Sequence, residues 1–225
     1  MAENKIILFS NLKGGVGKTS LCALFALYAI QKGKGVVAID ADLQSNLSRH
    51  RAMEVKSNPD AKQPYGISPV PAMFDKTEEE RKAIVGAMMD NAKKIPGYVL
   101  IDCPGNLQDS RLVPIFKAAD VVVIPLSYEF DVVDSTGVFI NVFRQINKNA
   151  KLVFAPNRIA TSEGTTSEIE DRAKTIEVLG KFGTVAPRVK QSVAIKRYST
   201  LFALDLYQSR AVEHSFDRII NEIEK

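Results

Sequence analysis

Apolar residues in this chain are arranged in two ways. Five short runs are wholly apolar: residues 6–9, 36–39, 98–101, 121–124 and 152–155. Between them lie longer stretches in which apolar positions recur every three or four residues. An unbroken apolar run predicts a strand covered on both faces, whereas the wider spacing predicts a helix with one buried side. The helical stretches are residues 18–32, closed by Gly33, then a segment opened by Thr77 and running to about Lys94, and then residues 131–147. Thr77 and Glu80 stand three apart, the spacing at which a hydroxyl and a carboxylate cap a helix start reciprocally. Farther on, Ile169, Ala173 and Ile176 share one helical face. Phe216, Ile219, Ile220 and Ile223 share another.

Strands that alternate with helices predict an α/β fold: a mostly parallel, twisted sheet with helices on both faces, in one domain spanning residues 1–225. Ligands of such sheets bind beyond the carboxyl ends of the strands. Lys13, Asp40, Asp42, Asp102 and Asn157 all fall just past strand ends, so one site could collect them. The 121–124 strand is expected to stop at Pro125. Residues 54–72, rich in Pro, Lys and Ser, show no period and read as an irregular loop.

Composition narrows the class. Apolar residues make up 45% of the chain, enough for a sizeable core. Cys22 and Cys103 lie far apart without metal or redox spacing, which suits a reducing cytoplasm. His50 and His214 have no metal-ligand partners in sequence. No apolar stretch is long enough for a membrane span, and none reads as a signal peptide. The net charge of +4 is unevenly spread. Residues 135–162 and 178–204 contain no acid and hold nine Lys or Arg between them. Such tracts read either as one positive face for a polyanion or as ordinary solvated surface.

The strongest chemical signal is Lys13-Gly14-Gly15-Val16-Gly17-Lys18-Thr19-Ser20, which follows a predicted strand and opens a predicted helix. Glycines let backbone amides curl around phosphate oxygens, and the helix start adds its dipole. Lys18 is placed to reach the β and γ phosphates, and Thr19 to offer a hydroxyl to Mg²⁺. The common pattern has a glycine at the position of Leu12; here Lys13 stands before the two glycines instead.

With that lysine the motif resembles the deviant Walker A loop of the ParA/MinD family of partition and positioning ATPases, most closely its short plasmid-type members. The resemblance implies a P-loop NTPase fold, ATP with Mg²⁺ as cofactors, and an ATP-dependent homodimer in which Lys13 reaches the partner's phosphates. Asp40 and Asp42 stand where the family carries its second acidic motif, with Leu43 where Pro is frequent. Asp42 would position the attacking water, although an acid after a strand also reads as a helix cap. Asp40 would lie near the Mg²⁺ shell. Asp102 ends a Walker B strand and would bind Mg²⁺, and Pro104-Gly105 would form a switch loop. Asn157 would read the adenine edge, with Pro187 as a second base contact; a turn asparagine is the plainer reading. The implied activity is ATP hydrolysis coupled to DNA partition, on a cytoplasmic, nucleoid-associated protein. Arg188, Lys190, Lys196, Arg197 and Arg210 would contact non-specific DNA, and a ParB-type centromere-binding or other adaptor protein would stimulate hydrolysis. A membrane-cycling MinD-like positioner and a metabolic enzyme on the same fold are the alternatives. The first needs a basic amphipathic C-terminal helix, and the acids Glu213, Asp217, Glu222 and Glu224 make core packing the better reading of that stripe.

Overall fold

The computed structural model describes residues 3–159 and 164–225. Its strands are β1 (Lys5–Phe9), β2 (Val36–Asp40), β3 (Gly66–Pro69), β4 (Tyr98–Asp102), β5 (Val121–Leu126), β6 (Lys151–Pro156) and β7 (Thr184–Val185). They form one sheet in the order β3-β2-β4-β1-β5-β6-β7, and every pairing between them is parallel. The helices are α1 (Lys18–Gln31), α2 (Asn46–Ser57), α3 (Glu78–Ala92), α4 (Leu112–Ala118), α5 (Phe130–Ile146), α6 (Thr166–Gly180), α7 (Val193–Lys196) and α8 (Leu206–Glu224).

The apolar strands build two core layers, one on each face of the sheet. Successive side chains on a strand point to opposite faces. Ile7 and Phe9 of β1 therefore join the layer of α1 and α8, while Ile6 and Leu8 join that of α3, α4 and α5. In the first layer Phe25 of α1 meets Phe216 of α8 edge to face, with centroids 5.3 Å apart. Phe216, Ile219, Ile220 and Ile223 are all buried here, each side chain contributing on the order of 2 kcal/mol. The C-terminal stripe is thus core, as its charges suggested.

Topology decides where a ligand can go. After β1 the chain builds β2, β3 and β4 to one side, then crosses to build β5, β6 and β7 on the other. The carboxyl end of β1 lies at this reversal, where the crossovers diverge and a crevice opens. The glycine-rich loop occupies that crevice.

Three expectations are corrected. Residues 54–72 are not a continuous loop: residues 54–57 finish α2, and 66–69 form the edge strand β3. No period showed because β3 is largely exposed and α2 buries only Leu47 and Arg51. Pro125 does not stop β5, which continues to Leu126. Its missing amide falls on the β1 side, beyond the end of β1, where no ladder partner waits; there the Asn11 side-chain amide donates to the Pro125 carbonyl (2.8 Å). The Ile169–Ala173–Ile176 face of α6 stays exposed, and only Leu179 of that helix is buried.

Candidate nucleotide site

The loop between β1 and α1 is shaped by backbone that side chains tolerate poorly. Gly15 and Gly17 have φ of 77° and 97°. A Cβ on Gly17 would also collide with the Asn157 side-chain amide. α1 begins at Lys18 with Gly17 as its left-handed cap and no capping side chain, so its first amides are left for an anion. Beside this loop lies a cavity of about 520 Å³. Gly14, Gly15, Gly17, Lys18, Thr19 and Ser20 form one wall; Asn157, Arg158 and residues of the 190–198 segment form the other. Lys13 is absent from the lining, and Val16 packs into the core.

Lys18 is largely buried, and its ammonium donates to the Lys13 carbonyl (3.0 Å). Burial lowers its pKa, while the nearby Asp102 opposes that shift. Across the crevice, Asp40 and Asp102 end adjacent strands in direct register, and both are fully buried. Their surroundings differ. Asp40 accepts the Ser48 amide of α2 (2.8 Å) and, more weakly, the Asp42 amide (3.3 Å). Burial still raises its pKa, against these bonds. Among the described residues no backbone amide reaches either oxygen of Asp102, and the Thr19 hydroxyl is its neighbour. Burial pushes its carboxyl up to about 7, against the pull of the neighbouring Thr19 side chain. A buried carboxylate left without backbone donors beside a hydroxyl is a hard-oxygen set that fits Mg²⁺, which typically takes one or two protein ligands and leaves the rest to phosphates and water. Asp40, turned to α2, is a helix anchor first.

Asp42 lines the cavity half-buried, and its carboxylate accepts the Gln44 amide (2.9 Å) in a tight turn. It does not cap α2; Ser45 holds that position. Gly105 closes on the same space, where a Cβ would lie 3.4 Å from the Lys18 ammonium. Asn157 is buried at the end of β6, and its amide donates to the Val16 carbonyl (2.9 Å). Its side-chain oxygen is buried and has no partner among the described residues.

Several predicted residues stand elsewhere. Lys13 points away from its own cavity and pairs with Asp131 at the start of α5. Pro187 is exposed and outside the lining. Lys190 and Lys196, expected on a DNA face, line the nucleotide cavity, because β7 and the 190–198 segment fold back over the carboxyl end of β6. Arg188, Arg197 and Arg210 lie outside the cavity.

Other residues escaped the sequence reading. Arg158 has φ of 59°, a backbone that costs an L residue about 1–2 kcal/mol. Tyr198 and Ile195 give the cavity its apolar side. That side is stapled to α2. Arg51, buried, donates through Nε to the Thr200 hydroxyl (2.9 Å) and through its terminal amines to the Thr200 and Tyr65 carbonyls (2.5 and 2.8 Å). Glu54 accepts the Ser199 hydroxyl (2.6 Å) and the Thr200 amide (2.8 Å). The spacing of Arg51 and Glu54, three apart on one helical face, was the available signal. Their Ser199 and Thr200 partners lie 145 to 149 residues away, beyond any local pattern.

Comparison with known proteins agrees with this geometry. The "Chromosome-partitioning ATPase Soj" of Treponema pallidum (strain Nichols) is 23% identical, over 97% of this chain and 96% of its own length. The "Maintenance of carboxysome distribution protein A" of Halothiobacillus neapolitanus is 26% identical over 99% of each. In structure, an ATP complex of a McdA variant from Cyanothece superposes with a TM-score of 0.75 at 18% identity, covering 100% of this chain and 98% of that one. The model of the CobQ/CobB/MinD/ParA nucleotide-binding domain matches residues 7–201, and the chain is a member of that family, a ParA/MinD-type ATPase.

Proposed function

We propose that this protein is a DNA-partition ATPase whose ATP-bound form is a homodimer. The observation that carries the proposal is the division between its two lysines. Lys18 is buried in the cavity of its own chain, whereas Lys13, five residues earlier, stands on the rim with a part-exposed ammonium held by Asp131. Next to that pair Phe130 is 87% exposed, an apolar side chain without cover beside a cation held by a surface carboxylate. A second copy docking here would cover Phe130 and receive Lys13 on its own phosphates, where a cation stabilises charge that develops on the γ-phosphoryl group.

In this reading the amides of the glycine loop and Lys18 hold the phosphates. Asp42 orients a water, and Asn157 offers its free oxygen to the base. Thr19 and Asp102 would hold Mg²⁺, which neutralises charge on the phosphates when bound. Arg188, Arg197 and Arg210 are the proposed contacts to DNA phosphates, and they carry no sequence information. An adaptor protein then stimulates hydrolysis and releases the dimer. The partition ATPase among the relatives supports this reading. The carboxysome-distribution relative favours a second version, in which the same cycle positions a protein cargo.

The test is duplex binding at several salt concentrations, with ATP, with ADP and without nucleotide. The proposal expects binding to unrelated duplexes with ATP only. It also expects log affinity to fall linearly with log salt, with the slope shallower by about one for each contact removed in Arg188→Ala, Arg197→Ala or Arg210→Ala. Absent or salt-insensitive binding would remove DNA from the account. Intact DNA binding with no effect of a plasmid centromere complex would favour the cargo version.

A further inference from the structure

Arg158 immediately follows Asn157, and its backbone is held firmly in an unfavourable conformation. The residues on either side fix it: the Asn157 amide donates to the Leu126 carbonyl (2.7 Å), and the Ile159 amide to the Val189 carbonyl (3.3 Å). The Gln191 amide returns a bond to the Ile159 carbonyl (2.9 Å). These bonds extend the sheet past β6 and leave Arg158 alone at φ of 59°. Strain of this kind persists where the surroundings over-determine it, and it gathers at functional sites.

The strained turn aims the side chain. A Cβ on Gly15 would lie 3.8 Å from Arg158 Nη1, so the guanidinium sits over the glycine loop, on the wall facing α1. Among the described residues no carboxylate pairs with it. Among the described residues the cavity holds Lys18, Lys190, Lys196 and Arg158 against one acid, Asp42, an excess of positive charge that suits a polyphosphate. Lys18 holds its ammonium at the Lys13 carbonyl of the loop itself. Arg158 comes from the opposite wall, and its planar fork can take two phosphate oxygens together.

We infer that Arg158 is an intrachain phosphate clamp: it closes over the phosphates of the nucleotide in its own subunit and strengthens binding of ADP as well as ATP, independently of dimer formation. Lys13 serves the partner's nucleotide in the proposed cycle; Arg158 serves its own. The inference rests on a nucleotide occupying this cavity, which titration of the wild type checks separately.

The experiment is calorimetric titration of Mg·ADP into wild type, Arg158→Gly and Arg158→Asn, all confirmed monomeric by sedimentation. Both replacements tolerate the left-handed backbone, so the fold should survive and Arg158→Gly should melt no lower than wild type without nucleotide. The clamp predicts ADP binding weaker by about tenfold in both variants, comparable to losing one charge-assisted contact. It also predicts a shallower dependence of affinity on salt. Unchanged ADP affinity in both variants would overturn it and leave Arg158 to DNA or to the partner subunit. Loss of affinity in step with a lower melting temperature would overturn it too, as a packing effect. A wild type that binds no ADP would overturn both the clamp and the site.

Discussion

The ends of β2 and β4 make a natural comparison. Each finishes in an aspartate, the two are neighbours in register, and both are fully buried. By sequence they look alike: apolar strand, then acid. Their partners separate them. Asp40 is bonded to the Ser48 amide of α2 and ties that helix to the sheet. Asp102 has no backbone donor among the described residues and faces the start of α1, where the Thr19 side chain is its neighbour. An acid at a strand end is therefore a structural anchor when the fold supplies its donors, and a ligand site when the fold withholds them. The contrast is measurable, because removing the two carboxylates should move stability in opposite directions.

The largest effect is expected from Asp102→Asn. ATP hydrolysis with magnesium should fall at least about 100-fold, since metal-assisted charge stabilisation is worth several kcal/mol. The nucleotide-free protein should be no less stable, and up to about 1–3 kcal/mol more stable at pH 8, because an unpaired buried charge is gone. Urea unfolding beside steady-state hydrolysis checks both. If stability falls as activity falls, Asp102 is an anchor like its neighbour and the contrast collapses.

Next comes the staple that fixes α2 and so presents Ser48 to Asp40. Arg51→Ala leaves the Thr200 and Tyr65 carbonyls and the Thr200 hydroxyl without their buried donor, and should cost about 3 kcal/mol by urea unfolding. A loss under 1 kcal/mol would show that α2 is held by other means. Asp40→Ala should cost less, about 1–2 kcal/mol, the usual range for a lost carboxylate bond to a helix's first amides. The smallest effect calibrates the others. Thr77→Ala breaks the capping box at the start of α3, outside the cavity lining. It should cost about 1 kcal/mol and leave ADP affinity unchanged by titration.

Legibility in the sequence follows the reach of each interaction. The glycine loop, Lys18 and Asp102 could be read because strand, loop and helix start are contiguous, and the residue types follow from the backbone they must adopt. The capping box of α3 could be read for the same reason. The opposite wall could not. Arg158, Ile195 and Tyr198 meet the glycine loop only after β6, β7 and the 190–198 segment have folded back over it. Lys190 and Lys196 looked like surface charge because a basic tract carries no record of which side faces a cavity. Asp40 was misjudged in emphasis, since nothing local shows that α2 will donate to it. The edge strand β3 stayed hidden because an exposed strand needs no apolar pattern.

The central claim, a nucleotide cradle closed by a second copy through Lys13, is tested most directly by sedimentation velocity. Wild type and Lys13→Ala would be compared with Mg·ATP, with Mg·ADP and without nucleotide. The account predicts a dimer only for wild type with ATP, while the variant stays monomeric yet binds ADP with wild-type affinity. A wild type that remains monomeric with ATP, or a Lys13→Ala protein that dimerises equally well, would contradict it.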